Sequence, residues 1–159
     1  MRKTPVSPSE QLTPPALLDT DTFSLLAAIP VRTVPVPLLN RIAGSRPGSV
    51  FLSQITAEET LRGALALIKV EEARGRAHIG YQLLSDLLRE IARFPFLPYD
   101  EAAEQLYRSY PAAIRRIGSA DCKIAAVAQA HGATVITRNI RHFSEIHGVV
   151  WEDWTKSIR

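Results

Sequence analysis

The chain holds one cysteine, Cys122, one methionine and no CxxC pair. A lone thiol cannot build an internal disulfide framework, and no Cys/His set has the spacing of a zinc site. No apolar run approaches the roughly 18 residues needed to cross a bilayer, so no membrane partner is expected. The opening Met1-Arg2-Lys3-Thr4-Pro5 lacks the apolar stretch of a signal peptide, which makes the cytoplasm the expected location. Nor does one sign of charge dominate. The 19 basic and 16 acidic side chains leave a net +3, weak support for a nucleic-acid partner when taken alone.

What is present is more informative. A hydrophobic fraction of 46% and a charged fraction of 22% in 159 residues suit one ordinary globular domain with a proper core. Fifteen of the 19 basic residues are arginine, whose planar fork suits phosphate. They are unevenly placed. Between Gln105 and Arg141 stand Arg108, Arg115, Arg116, Lys123, Arg138 and Arg141, with Asp121 as the only acid.

Residues 1–15, rich in Pro, Ser and Thr, read as a flexible tail, and residues 16–159 as one domain. Ala16-Leu17-Leu18 reads as a strand, followed by a helix from Asp19 to Ala28. Residues 30–49 read as a loop with one short helix, Pro37 in its first turn. Val50-Phe51-Leu52 is a second strand, and Thr56 opens a long helix that Gly75 interrupts. Ile79, Leu83, Leu84, Leu87, Leu88 and Ile91 keep helical spacing, which completes a helical hairpin. Phe94–Leu97 reads as an edge strand because Pro95 cannot donate to a ladder. Asp100 caps a helix to about Tyr110, Pro111–Gly118 reads as a basic loop, and Ser119 reads as the cap that starts a helix ended by Gly132. Ala133–Ile136 is a strand, Asn139 caps a short helix, and Val149–Trp151 is the last strand. Strands alternating with helices imply an α/β sandwich of three layers around a mainly parallel sheet.

Asp19, Glu59, Asp121 and Asn139 each fall at or just inside a predicted helix N-terminus. In a parallel α/β sheet such junctions meet at the carboxyl ends of the strands, where ligands bind. Each residue taken singly has an ordinary structural explanation. Asp19 and Asn139 suit N-caps, Thr56 and Glu59 match a capping box, and Asp121 favours the helix dipole. Those explanations leave the convergence unaccounted for. Three carboxylates held close repel one another unless a cation intervenes, and a hard divalent ion with oxygen ligands meets that need.

At these residues the chain resembles PIN-domain proteins of the VapC toxin type. Four blocks carry the likeness from Leu17 to about Trp154: Leu17–Ser24, Ser53–Gly63, Asp121–Ala128 and Thr137–Phe143. The resemblance implies a PIN-like fold with Asp19, Glu59 and Asp121 as the metal-binding acids and Asn139 as a fourth catalytic member. Glu59, three residues after Thr56, aligns in preference to Glu58. Asp21, Thr56 and Thr137 are implied as supporting residues. Arg115, Arg116, Arg138 and Arg141 are candidates to hold RNA phosphates. Thr60 replaces a usual Leu, and His142 a frequent acid.

The implied activity is Mg2+- or Mn2+-dependent hydrolysis of RNA by the toxin of a toxin–antitoxin pair, with transfer RNA the first substrate to test. The resemblance also implies a homodimer and a small antitoxin partner, both engaging the helical hairpin. One alternative is a catalytically silent PIN-like module that binds protein or RNA. Another is a haloacid-dehalogenase-like phosphatase, suggested by Asp19-Thr20-Asp21, but Phe23 breaks that family's motif. Cys122 reads as a small buried residue without nucleophilic partners. His131 and His147 are assigned no chemistry.

Overall fold

A computed structural model describes residues 14–27 and 33–157. The tail expected at the N-terminus lies outside the described residues as far as residue 13. Pro15 is already tied to the sheet, its carbonyl accepting from Thr134 N at 2.8 Å. Ala28, the expected end of the first helix, also lies outside them.

The described elements run β1 (Ala16–Leu18), α1 (Thr20–Leu26), α2 (Val36–Gly44), β2 (Val50–Ser53), α3 (Gln54–Ala73) and α4 (Ala77–Ile91). They continue with β3 (Phe96–Leu97), α5 (Glu101–Ser109), α6 (Ala112–Ile117), α7 (Ser119–Ala130), β4 (Thr134–Ile136), α8 (Ile140–Ser144) and β5 (Trp151–Glu152). The five strands pair in the order β3-β2-β1-β4-β5, every pairing parallel. Helices cover both faces, so the central strands are mainly apolar and bury both sides. Leu17 and Val135 face α5, α7 and α8, whereas Leu18 and Ile136 face α1, α3 and α4. This is the three-layer α/β sandwich implied by the alternating elements.

The order reverses at β1, whose neighbours are β2 on one side and β4 on the other. The chain leaves β1 and β4 in opposite directions around the sheet, which opens a crevice at their carboxyl ends. Asp19 follows β1 directly, and Thr137 follows β4.

Four local readings are corrected. Helix α3 begins at Gln54, not Thr56, because Ser53 ends β2 in an extended conformation and its Oγ accepts from Thr56 N at 3.1 Å. An earlier cap was available. Residues 111–118 are not a loop: Ala112–Ile117 form α6 with Pro111 at its N-cap. The breakers Pro111 and Gly118 bound a short run that includes good helix formers. The N-cap of α7 is accordingly Gly118, not Ser119. The last strand is shifted to Trp151–Glu152, since a turn at Gly148 (φ +82°) delays the ladder until Val150 O accepts from Val135 N.

Candidate active site

Asp19 is only 2% exposed, an unusual place for a carboxylate. Its Oδ1 caps α1 by accepting from Thr22 N at 2.7 Å. Its Oδ2 accepts from the Thr137 hydroxyl at 2.5 Å, across the crevice between β1 and β4. Burial holds the carboxyl above its ordinary pKa, against the lowering effect of those hydrogen bonds. The charged form is therefore costly here, and a nearby cation would relieve the cost.

From Thr137 the bonding continues. Its Oγ accepts from Asn139 N at 2.8 Å, and Asn139 Nδ2 donates to Asp121 Oδ2 at 2.9 Å. A hydrogen-bonded chain thus links Asp19 to Asp121, residues contributed by opposite sides of the switch point. Asn139 sits at the N-cap of α8 but spends its side chain on Asp121, leaving α8 without a side-chain cap. Gly118 lies against the same carboxylate: a Cβ there would stand 3.3 Å from Asp121 Oδ2.

His142 was not placed in the site by sequence, yet its Nδ1 lies 2.8 Å from Asp121 Oδ2 and 2.9 Å from Asn139 Nδ2. A protonated Nδ1 donates to the carboxylate; a bare Nδ1 accepts from Asn139. The signal available was its spacing, one helical turn past Asn139 on α8.

Glu59 stands in the second turn of α3 and accepts from the Thr20 hydroxyl at 2.5 Å. It does not close a capping box with Thr56. The Thr56 hydroxyl is buried and donates to Leu18 O at 3.2 Å, fastening α3 to the end of β1 beside Asp19. Thr60 turns its hydroxyl onto Thr56 O at 2.5 Å within the same helix. Glu59 and Asp121 line one groove together with Glu58, Arg62, Ser119 and Lys123.

The remaining predicted residues divide. Asp21 forms a two-pronged pair with Arg138, each bond 2.8 Å, rather than contacting its own helix. Arg138 therefore arrives already paired. Arg115 lies over the Tyr107 ring, 5.8 Å from its centroid. Arg116 and Arg141 are exposed. Cys122 is buried and burial pushes its thiol pKa up, an inert setting. Phe23 belongs to the core, so the phosphatase-like reading loses its fifth position here too.

The donor chemistry fits a hard divalent ion. Asp19, Glu59 and Asp121 supply carboxylate oxygens with Asn139 beside them, and buried Asp19 lacks a cationic partner among the described residues. Even so, no three acidic, histidine or cysteine side chains among those residues stand close enough to share one ion. The acids converge on one end of the sheet without forming a ready-made cage.

The family model described as PIN domain matches residues 17–149. No curated protein matches significantly. Among solved structures, the chain is similar to one in DNA-bound VapBC from Salmonella typhimurium, at 26% identity and TM-score 0.68, over 89% of this chain and 99% of that one. It is similar to FitAcB from Neisseria gonorrhoeae at 28% identity and TM-score 0.61, over 87% and 97%. VapBC-1 from nontypeable Haemophilus influenzae, at 23% identity and TM-score 0.66 over 89% and 98%, shares the fold.

Proposed function

Since the chain belongs to the PIN-domain family, a family of nucleases, we propose that it is a metal-dependent endoribonuclease and the toxin of a toxin–antitoxin pair. The observation that carries this reading is the hydrogen-bonded chain Asp19–Thr137–Asn139–Asp121 across the switch point. A bond network that positions two acids separated by a hundred residues is more than capping requires.

Asp19, Asp121 and Glu59 would hold Mg2+ or Mn2+. The ion, when bound, supplies positive charge for the phosphoryl oxygens and acidifies water near neutral pH. Thr137 orients Asp19, Asn139 holds the Asp121 carboxylate, and Thr20 holds Glu59. Arg115, Arg116 and Arg141 serve flanking phosphates, and Arg138 keeps Asp21 in place. Transfer RNA is the first substrate to test.

A homodimer and a small antitoxin belong to the same reading. They are supported by exposed Leu65 and Val70 on α3 and Ile79, Tyr81 and Leu88 on α4, large apolar side chains left in solvent on the hairpin. No described helix is long and apolar enough to cross a membrane.

The test is expression in a bacterium, wild type against Asp121→Asn. Growth arrest by the wild type alone is expected. Equal growth of both strains, with RNA uncut, would remove the toxin reading and leave a binding module.

A further inference from the structure

Lys123 follows Asp121 by two residues on α7 and lines the groove that Glu59 and Asp121 share. Its Nζ lies 5.7 Å from the Tyr107 ring centroid and 5.9 Å from that of Tyr99. Both rings are half-buried, and the Tyr107 hydroxyl lies 3.1 Å from Ser119 Oγ, which anchors that ring to the start of α7. Aromatic faces attract an ammonium without neutralising it.

Among the described residues no carboxylate comes within ion-pairing distance of Lys123. Glu104, whose carboxylate feels this charge, is occupied by the Tyr99 hydroxyl at 2.6 Å and Arg108 Nε at 2.5 Å. The other cation of the groove, Arg62, is spent on Glu58. Lys123 is thus a pre-positioned charge with its donors unspent, in the groove lined by two of the candidate catalytic acids.

We propose that Lys123 binds a phosphate flanking the scissile linkage of an RNA strand, with Tyr99 and Tyr107 as positioning residues. This rests on the nuclease reading. A strand lying in the groove would meet Lys123 beside Asp121, and the two half-buried rings stand next to it as apolar contacts for a neighbouring base. An acidic peptide would find the ammonium but no use for the rings, and would face Glu58, Glu59 and Asp121.

The test is steady-state cleavage of a short single-stranded RNA by the full chain in Mn2+, at several salt concentrations. Lys123→Gln is expected to raise KM about tenfold with kcat changed no more than about twofold. The log–log salt dependence of its kcat/KM should become shallower by about 0.7, one phosphate contact on a single strand. Lys123→Arg should keep most of the affinity. Tyr107→Leu, which removes the ring, should raise KM about threefold. Matching thermal melts of the variants separate these effects from misfolding.

Unchanged KM and salt slope in Lys123→Gln, beside an active wild type, overturn the assignment and leave the nuclease reading intact. So does a fall in kcat alone, or a Lys123→Gln defect confined to binding of a polyglutamate peptide. A wild type that cuts no RNA brings down both readings.

Discussion

Asp19 carries the sharpest conflict between stability and chemistry. Its carboxyl pKa is raised by burial, so between the ordinary carboxylate pKa and the raised one the folded state holds a proton that the unfolded chain has lost. Stability at this position therefore falls as pH rises through that window. Asp19→Asn keeps an oxygen for Thr22 N, removes the buried charge and should melt higher near pH 7, by about 2–4 °C for each kcal/mol relieved, while RNA cleavage is lost. A lower melting temperature at pH 7 would contradict the account of Asp19. Thr137→Val tests the adjoining link. It strips a buried hydroxyl that donates to Asp19 Oδ2 and accepts from Asn139 N, and should cost about 1–3 kcal/mol in chemical denaturation. Thr137→Ser should restore most of that loss. The four candidate positions Asp19, Glu59, Asp121 and Asn139 stood out in the sequence because each falls at or near the start of a helix. The bond from Thr137 to Asp19 spans 118 positions, a separation over which local patterning carries no information. His142 was missed for a related reason: its partner Asp121 comes from another helix.

At the scale of elements, the helical hairpin offers two glycines with opposite roles. A Cβ on Gly80 of α4 would stand 2.7 Å from the Ile68 Cα of α3, whereas one on Gly63 would meet nothing within 4 Å. Gly80→Ala must push the helices apart and should destabilise by about 1–3 kcal/mol. Gly63→Ala, on an exposed helical face, should stabilise by up to about 1 kcal/mol. Thermal unfolding of the pair reads both signs at once; equal shifts would show that the helices do not approach this closely. The hairpin itself was readable from the helical spacing of Ile79–Ile91 and from Gly75, which adopts φ +69°. The role of Gly80 was not, since a glycine inside a helix reads only as a local cost until the neighbouring helix is known. Helix α6 was hidden differently. Pro111 and Gly118 are strong breakers, and six residues between them are too few for a periodicity to register.

For the whole molecule, one parallel sheet with its order reversing at β1 brings together acids from three distant segments. That convergence was inferable from the alternation of strands and helices; the hydrogen bonds that hold the acids apart or together were not. An ion that binds the folded chain alone should stabilise it, by about 2.7 kcal/mol at a hundred times its Kd. Mn2+ should therefore raise the melting temperature of the wild type and leave Asp121→Asn nearly unmoved. The most direct measurement is cleavage of purified RNA by the wild type and by Asp19→Asn and Asp121→Asn, each with Mg2+, with Mn2+ and with a chelator. The account predicts cutting by the wild type only, and only with a divalent ion present. Equal cutting by the three proteins, or cutting that survives the chelator, would contradict it.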